Sequence, residues 1–107
     1  MSVPSVVETY LRVAPRGDLD VLVGCFTEDA VVTDDGKTHR GRTAIRQWRN
    51  DVAAAFEYTM AIVDSSPDGD GHLVVARIEG SFPGSPVQLK LRFELEGDLI
   101  SKLDIAP

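Results

Sequence analysis

The stretch AVVTDDGKTHRGRTAI, from Ala30 to Ile45, sets two adjacent carboxylates, a glycine turn, a histidine and a basic cluster between a β-rich segment and a helix start. Asp34 and Asp35 are adjacent carboxylates, His39 is an imidazole, and Arg40, Arg42, Arg46 and Arg49 follow closely. A carboxylate facing an apolar pocket can act as a general base. The same group in a turn only accepts bonds from its own backbone. Side chains alternate along a strand, so if AVVTD stays extended through Asp35 the two acids face opposite ways. Asp35 abuts Gly36 and is the turn residue, so at most one of Asp34 and Asp35 enters a pocket. His39 falls in the loop before a helix and reads as a surface histidine. A second set lies further on: Arg77 and Glu79 are two apart and share a strand face, with Asp104 on a later strand. An exposed ion pair is the ordinary outcome for such residues, and it contributes little.

The elements that must position these groups follow from hydrophobic spacing. Val3, Val6, Val7, Tyr10, Leu11 and Ala14 form one stripe of a first helix, with Ser2 as its cap, Pro4 in its first turn and Pro15 and Gly17 ending it. Tyr10 on that stripe is either core or a hydrogen-bond donor at a cavity edge. Asp18 caps a short second helix that buries Leu19, Leu22, Val23 and Phe26. AVVTD is a strand closed by the turn DDGK. Thr43 opens a third helix with Ile45, Trp48, Val52 and Phe56 inward and Arg46, Gln47, Arg49, Asn50 and Asp51 on a solvated face. The second half holds strands: EYTMAIVDS, HLVVARIEGSF, VQLKLRFELE and LISKLDI, separated by SPDGDG, PGSP and a Gly97–Asp98 turn. In the third of these, Val87, Leu89, Leu91, Phe93 and Leu95 alternate with polar residues, as on a sheet with one wet face. Helices first and hairpin-linked strands after predict an α+β fold, three helices against one face of an antiparallel sheet. If that sheet curls around the helices, a conical cavity can form between them.

Composition bounds the partners. The chain has 107 residues, enough for one domain spanning 1–107. Its formal net charge of −6 opposes binding to a phosphate backbone, so nucleic acid is not an expected partner. No apolar run is long enough to cross a bilayer. The N-terminus has no signal-peptide pattern, and the single cysteine, Cys25, precludes an intrachain disulfide. A cytoplasmic protein is expected. No Cys/His spacing suggests a metal.

The run ETYLRVAPRGDLDVLVGCFTEDAVVTD followed by HRGRTAIRQW resembles the opening of the nuclear-transport-factor-2-like superfamily, within it the SnoaL-like polyketide cyclases and the Δ5-3-ketosteroid isomerases. The resemblance rests on the helix leading to GDLD, the F-x-x-D-A run into a strand, and G-x-x-A-I opening the third helix. It implies a cone-shaped curved sheet with a hydrophobic small-molecule pocket and no metal or organic cofactor. It implies Asp34 as the base that removes a proton next to a carbonyl and Tyr10 as donor to the resulting oxyanion. Pocket walls would include Val7, Tyr10, Leu11, Phe26, Trp48, Met60, Leu89, Leu91 and Phe93. One departure stands out: where the isomerases carry an un-ionised aspartic acid as second oxyanion donor, this chain has Leu89, which donates no hydrogen bond. The set Arg77, Glu79 and Asp104 is similar to the limonene-epoxide-hydrolase branch, where an arginine bridges two aspartates that activate water and protonate the epoxide, with Glu79 here in place of one aspartate; a non-catalytic ligand-binding or association module is the third reading. The superfamily resemblance further implies a homodimer through the outer sheet face.

Overall fold

The structure is a computed structural model that describes residues 3–15 and 17–107. The elements in chain order are α1 (Ser5–Val13), α2 (Leu19–Gly24), β1 (Phe26–Asp34), β2 (Lys37–Arg40), α3 (Gly41–Ala55), β3 (Tyr58–Asp68), β4 (Gly71–Gly80), β5 (Val87–Glu96) and β6 (Leu99–Ala106). Pro4 stands at the N-cap of α1 and makes no side-chain cap bond; the expected cap, Ser2, lies outside the described residues. Asp18 caps α2 as expected, its carboxylate accepting from the backbone N–H of Asp20 and Val21.

The six strands form one sheet in the order β2-β1-β6-β5-β4-β3. Four of its neighbouring pairs are antiparallel, and β1 with β6 is parallel, which corrects the wholly antiparallel expectation. Chain direction explains the exception. The helix α3 carries the chain back along the sheet, so β3 sets out in the same direction as β2. Three hairpins later, β6 runs the opposite way to β3 and therefore alongside β1.

Two elements differ from expectation near the opening stretch. Phe26 belongs to β1, not to the second helix, and is fully buried. Residues 37–40 are a strand, with His39 opposite Val32. The connection is a two-residue turn in which Asp35 and Gly36 both have positive φ, 53° and 74°. That backbone matches the twist of a tight hairpin and suits Asp followed by Gly.

The core fills the space between helices and sheet. Val7, Tyr10, Phe26, Val32, Ile45, Val74, Phe93, Ile100 and Leu103 are almost entirely buried in it. The Tyr10 ring meets the rings of Phe26 and Phe93 edge-on at 5.8 and 5.6 Å, an arrangement aromatic pairs favour.

Candidate functional site

One end of this layer is hollow. A cavity of about 710 Å³ opens where β1, β4, β6 and α3 end and β3 and β5 begin. Its apolar walls come from Val52, Phe56, Met60, Ile78, Phe82, Val87, Leu89, Leu91 and Ile105. The size falls within the range of small-molecule pockets. The polar side chains on it are few: Tyr10, Asp34, Trp48, Arg49 and Tyr58, with the exposed Asp35 at its border.

Asp34 reaches the cavity because the strand alternates. Ala30 and Val32 on the same face are wholly buried, and Asp34 is the next inward position. Trp48 Nε1–H on α3 donates to Asp34 Oδ2 at 3.1 Å. That bond fixes the carboxylate and leaves Oδ1 with no partner among the described residues. The Trp48 ring is itself held by His39, stacked at 5.7 Å, so the histidine supports the wall and does not line the cavity. Asp35, at the turn, is exposed.

Tyr10 is 1% exposed, yet its hydroxyl makes no hydrogen bond to a described residue. Among the described residues no buried side-chain nitrogen or oxygen lacks a partner. The hydroxyl is therefore reached from the cavity, where it is a free donor. Burial pushes the phenol far above its ordinary pKa of 10, against the pull of the Arg49 cation, so the proton stays on.

Arg49 contradicts the sequence expectation outright. It was assigned to the solvated face of the third helix, but it is 8% exposed and lines the cavity. The stripe rule contains the reason: Arg49 is four residues after Ile45 and three before Val52, inside the apolar sector. Its Nη2 donates to the Ala14 carbonyl at 2.6 Å and to Tyr58 Oη at 2.5 Å. Ala14 caps the C-terminus of α1, whose free carbonyls and negative dipole end favour a cation. The guanidinium also lies over the Trp48 ring, 4.7 Å from its centroid. Desolvation pulls its pKa down, but Tyr10, Tyr58 and Asp34 together outweigh that, so Arg49 remains charged.

Other expected wall residues sort by depth. Trp48, Met60, Leu89 and Leu91 line the cavity with Tyr10. Val7, Phe26 and Phe93 are packed solid below it, and Leu11 borders a separate groove on the other side of α1. Arg77 and Glu79 stand exposed on the sheet face opposite Val74, Ala76 and Ile78. Asp104 is half-buried on β6, with Lys102 at 3.9 Å. None of these three lines the cavity. The basic residues at the start of α3 are also spoken for: Arg42 binds the Phe26 carbonyl through Nε and Nη2, and Arg46 pairs with Asp20 at 2.7 Å.

A six-stranded open sheet wrapped over three helices, with one apolar cavity at its wide end, is the architecture of the nuclear-transport-factor-2-like and ketosteroid-isomerase-like proteins. Residues 7–102 match the SnoaL-like domain, and the chain belongs to that family. A protein from Sinorhizobium meliloti, provisionally assigned as a polyketide cyclase, is 38% identical and superposes with a TM-score of 0.93, covering 97% of this chain and 95% of the other. The epoxide hydrolase/cyclase-like enzyme SalBIII, which has a role in pyran ring formation in the polyether salinomycin, is 27% identical, with a TM-score of 0.80 over 94% of this chain and 85% of its own. A protein of ketosteroid-isomerase-like fold from Catenulispora acidiphila, in complex with trimethylamine, shares the fold at 19% identity, with a TM-score of 0.85 over 99% and 87% of the two chains. No curated protein matches the chain. No helix among the described residues is long and apolar enough to cross a membrane.

Proposed function

We propose that the cavity binds a hydrophobic carbonyl compound and that Asp34 removes a proton from the carbon next to the carbonyl, with the Tyr10 hydroxyl donating to the oxygen that becomes negative. The reaction is an isomerisation or a SnoaL-like cyclisation. The observation that carries this reading is the placement of Asp34 and a free, protonated Tyr10 hydroxyl on one largely apolar cavity. A carboxylate base and a hydrogen-bond donor are the two parts enolisation needs. Likeness to a polyketide cyclase assignment at 38% identity agrees with it. Leu89 lines the same cavity, so the second oxyanion donor of the isomerases is missing from that position. Loss of one such donor costs on the order of 100-fold in rate, which favours a slower or different enolisation over efficient steroid isomerisation. No metal or organic cofactor enters this chemistry.

The test is conversion of a bicyclic β,γ-unsaturated ketone to its conjugated isomer, followed by ultraviolet absorbance. Wild-type protein accelerates it, and Asp34→Asn lowers the rate by about 100-fold or more. Equal rates in the two proteins contradict Asp34 as base.

The same reading takes the protein to be a cytoplasmic homodimer of single-domain subunits, paired through the outer sheet face. Arg77, Glu79, Gln88, Lys90, Arg92 and Glu94 stand exposed there, so the interface would be polar. Light scattering that returns the monomer mass removes this part.

A further inference from the structure

The cavity holds a cation that the base-and-tyrosine reading does not use. Arg49 is more than nine-tenths buried, and no carboxylate of the described residues lies within ion-pair distance of it. Its two hydrogen bonds both leave from Nη2. A guanidinium has five N–H donors in a fixed planar fork. Nε and Nη1 make no bond to a described residue, and neither is sealed in the interior. Both are therefore reached from outside the packed interior, and Arg49 lines the cavity with Tyr10 and Asp34. Burying a charge is costly unless something compensates it; the groups in direct contact here, a helix-terminal carbonyl, a phenol and an indole face, are all neutral, and the Asp34 carboxylate attracts Arg49 only from beyond ion-pair distance. The negative partner is left for a ligand to supply.

We propose that Arg49 is the oxyanion contact of this pocket: the ligand's oxygen, once negative, binds a free N–H of the Arg49 guanidinium together with the Tyr10 hydroxyl. This rests on the proton-abstraction reading for its chemistry, and it supplies from α3 the stabilisation that Leu89 cannot supply from β5. The charge balance is simple. The substrate C–H bond breaks and its proton passes to Asp34. The electron pair becomes the enolate C=C bond, and the carbonyl oxygen takes the negative charge that Asp34 gives up. Return of the proton to carbon reverses the charge flow. The total charge of the site is unchanged throughout, so the step requires no ion from solvent. Arg49 lowers the barrier because its attraction follows the charge onto the oxygen it touches. The ligand class is an apolar ketone or an apolar acid whose negative oxygen sits at one end.

Binding tests this without turnover. Asp34→Asn imitates the carboxyl after it has taken the proton. In Asp34→Asn protein at neutral pH, titrated with 2-naphthoate and with neutral 2-naphthamide and followed by Trp48 fluorescence, the anion binds at least about tenfold more tightly, as a charge-assisted contact requires. Adding Arg49→Gln abolishes the preference, and adding Arg49→Lys keeps most of it. Equal affinity for the two probes in Asp34→Asn protein overturns the proposal. So does a preference that survives Arg49→Gln in a protein with an unchanged circular dichroism spectrum. Because Arg49→Gln also removes bonds to Ala14 and Tyr58, a measurement on protein with Arg49 intact stands beside it. The assigned Arg49 Nε–H resonance moves with 2-naphthoate and not with 2-naphthamide; no movement with naphthoate overturns the proposal equally. An enolisation assay that fails while the anion preference holds removes Asp34 as base and leaves Arg49 as anion contact, so the two failures are distinct.

Discussion

The closed and the hollow ends of the cone are built from the same strands and the same helix. Along the inward face of β5, Phe93 is wedged against Tyr10, Leu91 is buried at the cavity floor, and Leu89 and Val87 are half-buried walls. Along β1, Val32 is sealed and Asp34, two residues on, is a cavity-facing acid. Along α3, Ile45 is core, while Trp48, Arg49 and Val52 are wall, followed by Phe56 just past its end. A single alternation or stripe therefore passes from packing to function without any change in the pattern. What changes is whether something stands opposite. At the closed end α1 and α2 supply Val7, Tyr10, Leu22 and Val23. At the hollow end nothing from the helices fills the gap, and polar groups can sit on the inward face because a ligand or solvent can reach them.

This contrast can be broken by substitution. The largest expected effect is at the closed end: Phe93→Ala costs about 3–5 kcal/mol of stability in urea unfolding, the range for deleting a buried aromatic ring. Leu89→Ala, at the hollow end and on the same face of the same strand, costs only about 1 kcal/mol, because its side chain is already partly uncovered. Equal losses at the two positions mean that the cavity is filled in solution.

Tyr10 belongs to both ends, and its pH dependence sharpens the boundary. Its pKa is raised in the folded protein, so it contributes stability that is fully present below the unfolded value of 10 and is lost as pH rises towards the higher folded value. Above pH 10 the unfolding free energy then falls with rising pH on account of this residue alone. Tyr10→Phe removes that share of the slope and lowers enolisation on the order of 100-fold. Identical alkaline slopes in the two proteins contradict a buried phenol.

The smallest effect is expected outside the cone. Arg77→Ala changes stability by no more than about 0.5 kcal/mol and leaves turnover unchanged, since Arg77 is exposed and faces away from the cavity. A large loss of activity there would revive hydrolysis through Arg77, Glu79 and Asp104.

The sequence was most legible where a local rule decides the outcome. Asp18 as a cap, Asp35–Gly36 as the turn and the span of β5 all depend on residues a few positions apart. It was least legible where the answer depends on what lies across the molecule. Nothing near Phe26 says whether it ends a helix or starts a strand, because the pairing that decides it is with Ile100. The parallel contact of β1 with β6 is likewise a consequence of the whole chain path. Val7 and Phe93 were expected on the pocket wall with Leu91 because periodicity gives a face but not a depth along it. Arg49 was misplaced because its charge outweighed its position in the stripe. The carbonyl of Ala14 and the Tyr58 hydroxyl, which make its burial tolerable, come from 35 residues upstream and 9 residues downstream.

The most direct test of a hollow, ligand-holding end is chemical-shift mapping with 2-tetralone, an apolar bicyclic ketone. The account predicts saturable shifts at the Trp48 indole N–H and at the methyl groups of Met60, Leu89 and Ile105, with those of Val7, Val32 and Leu103 unmoved. Shifts confined to the second group, or none at the first at saturating ketone, would contradict it.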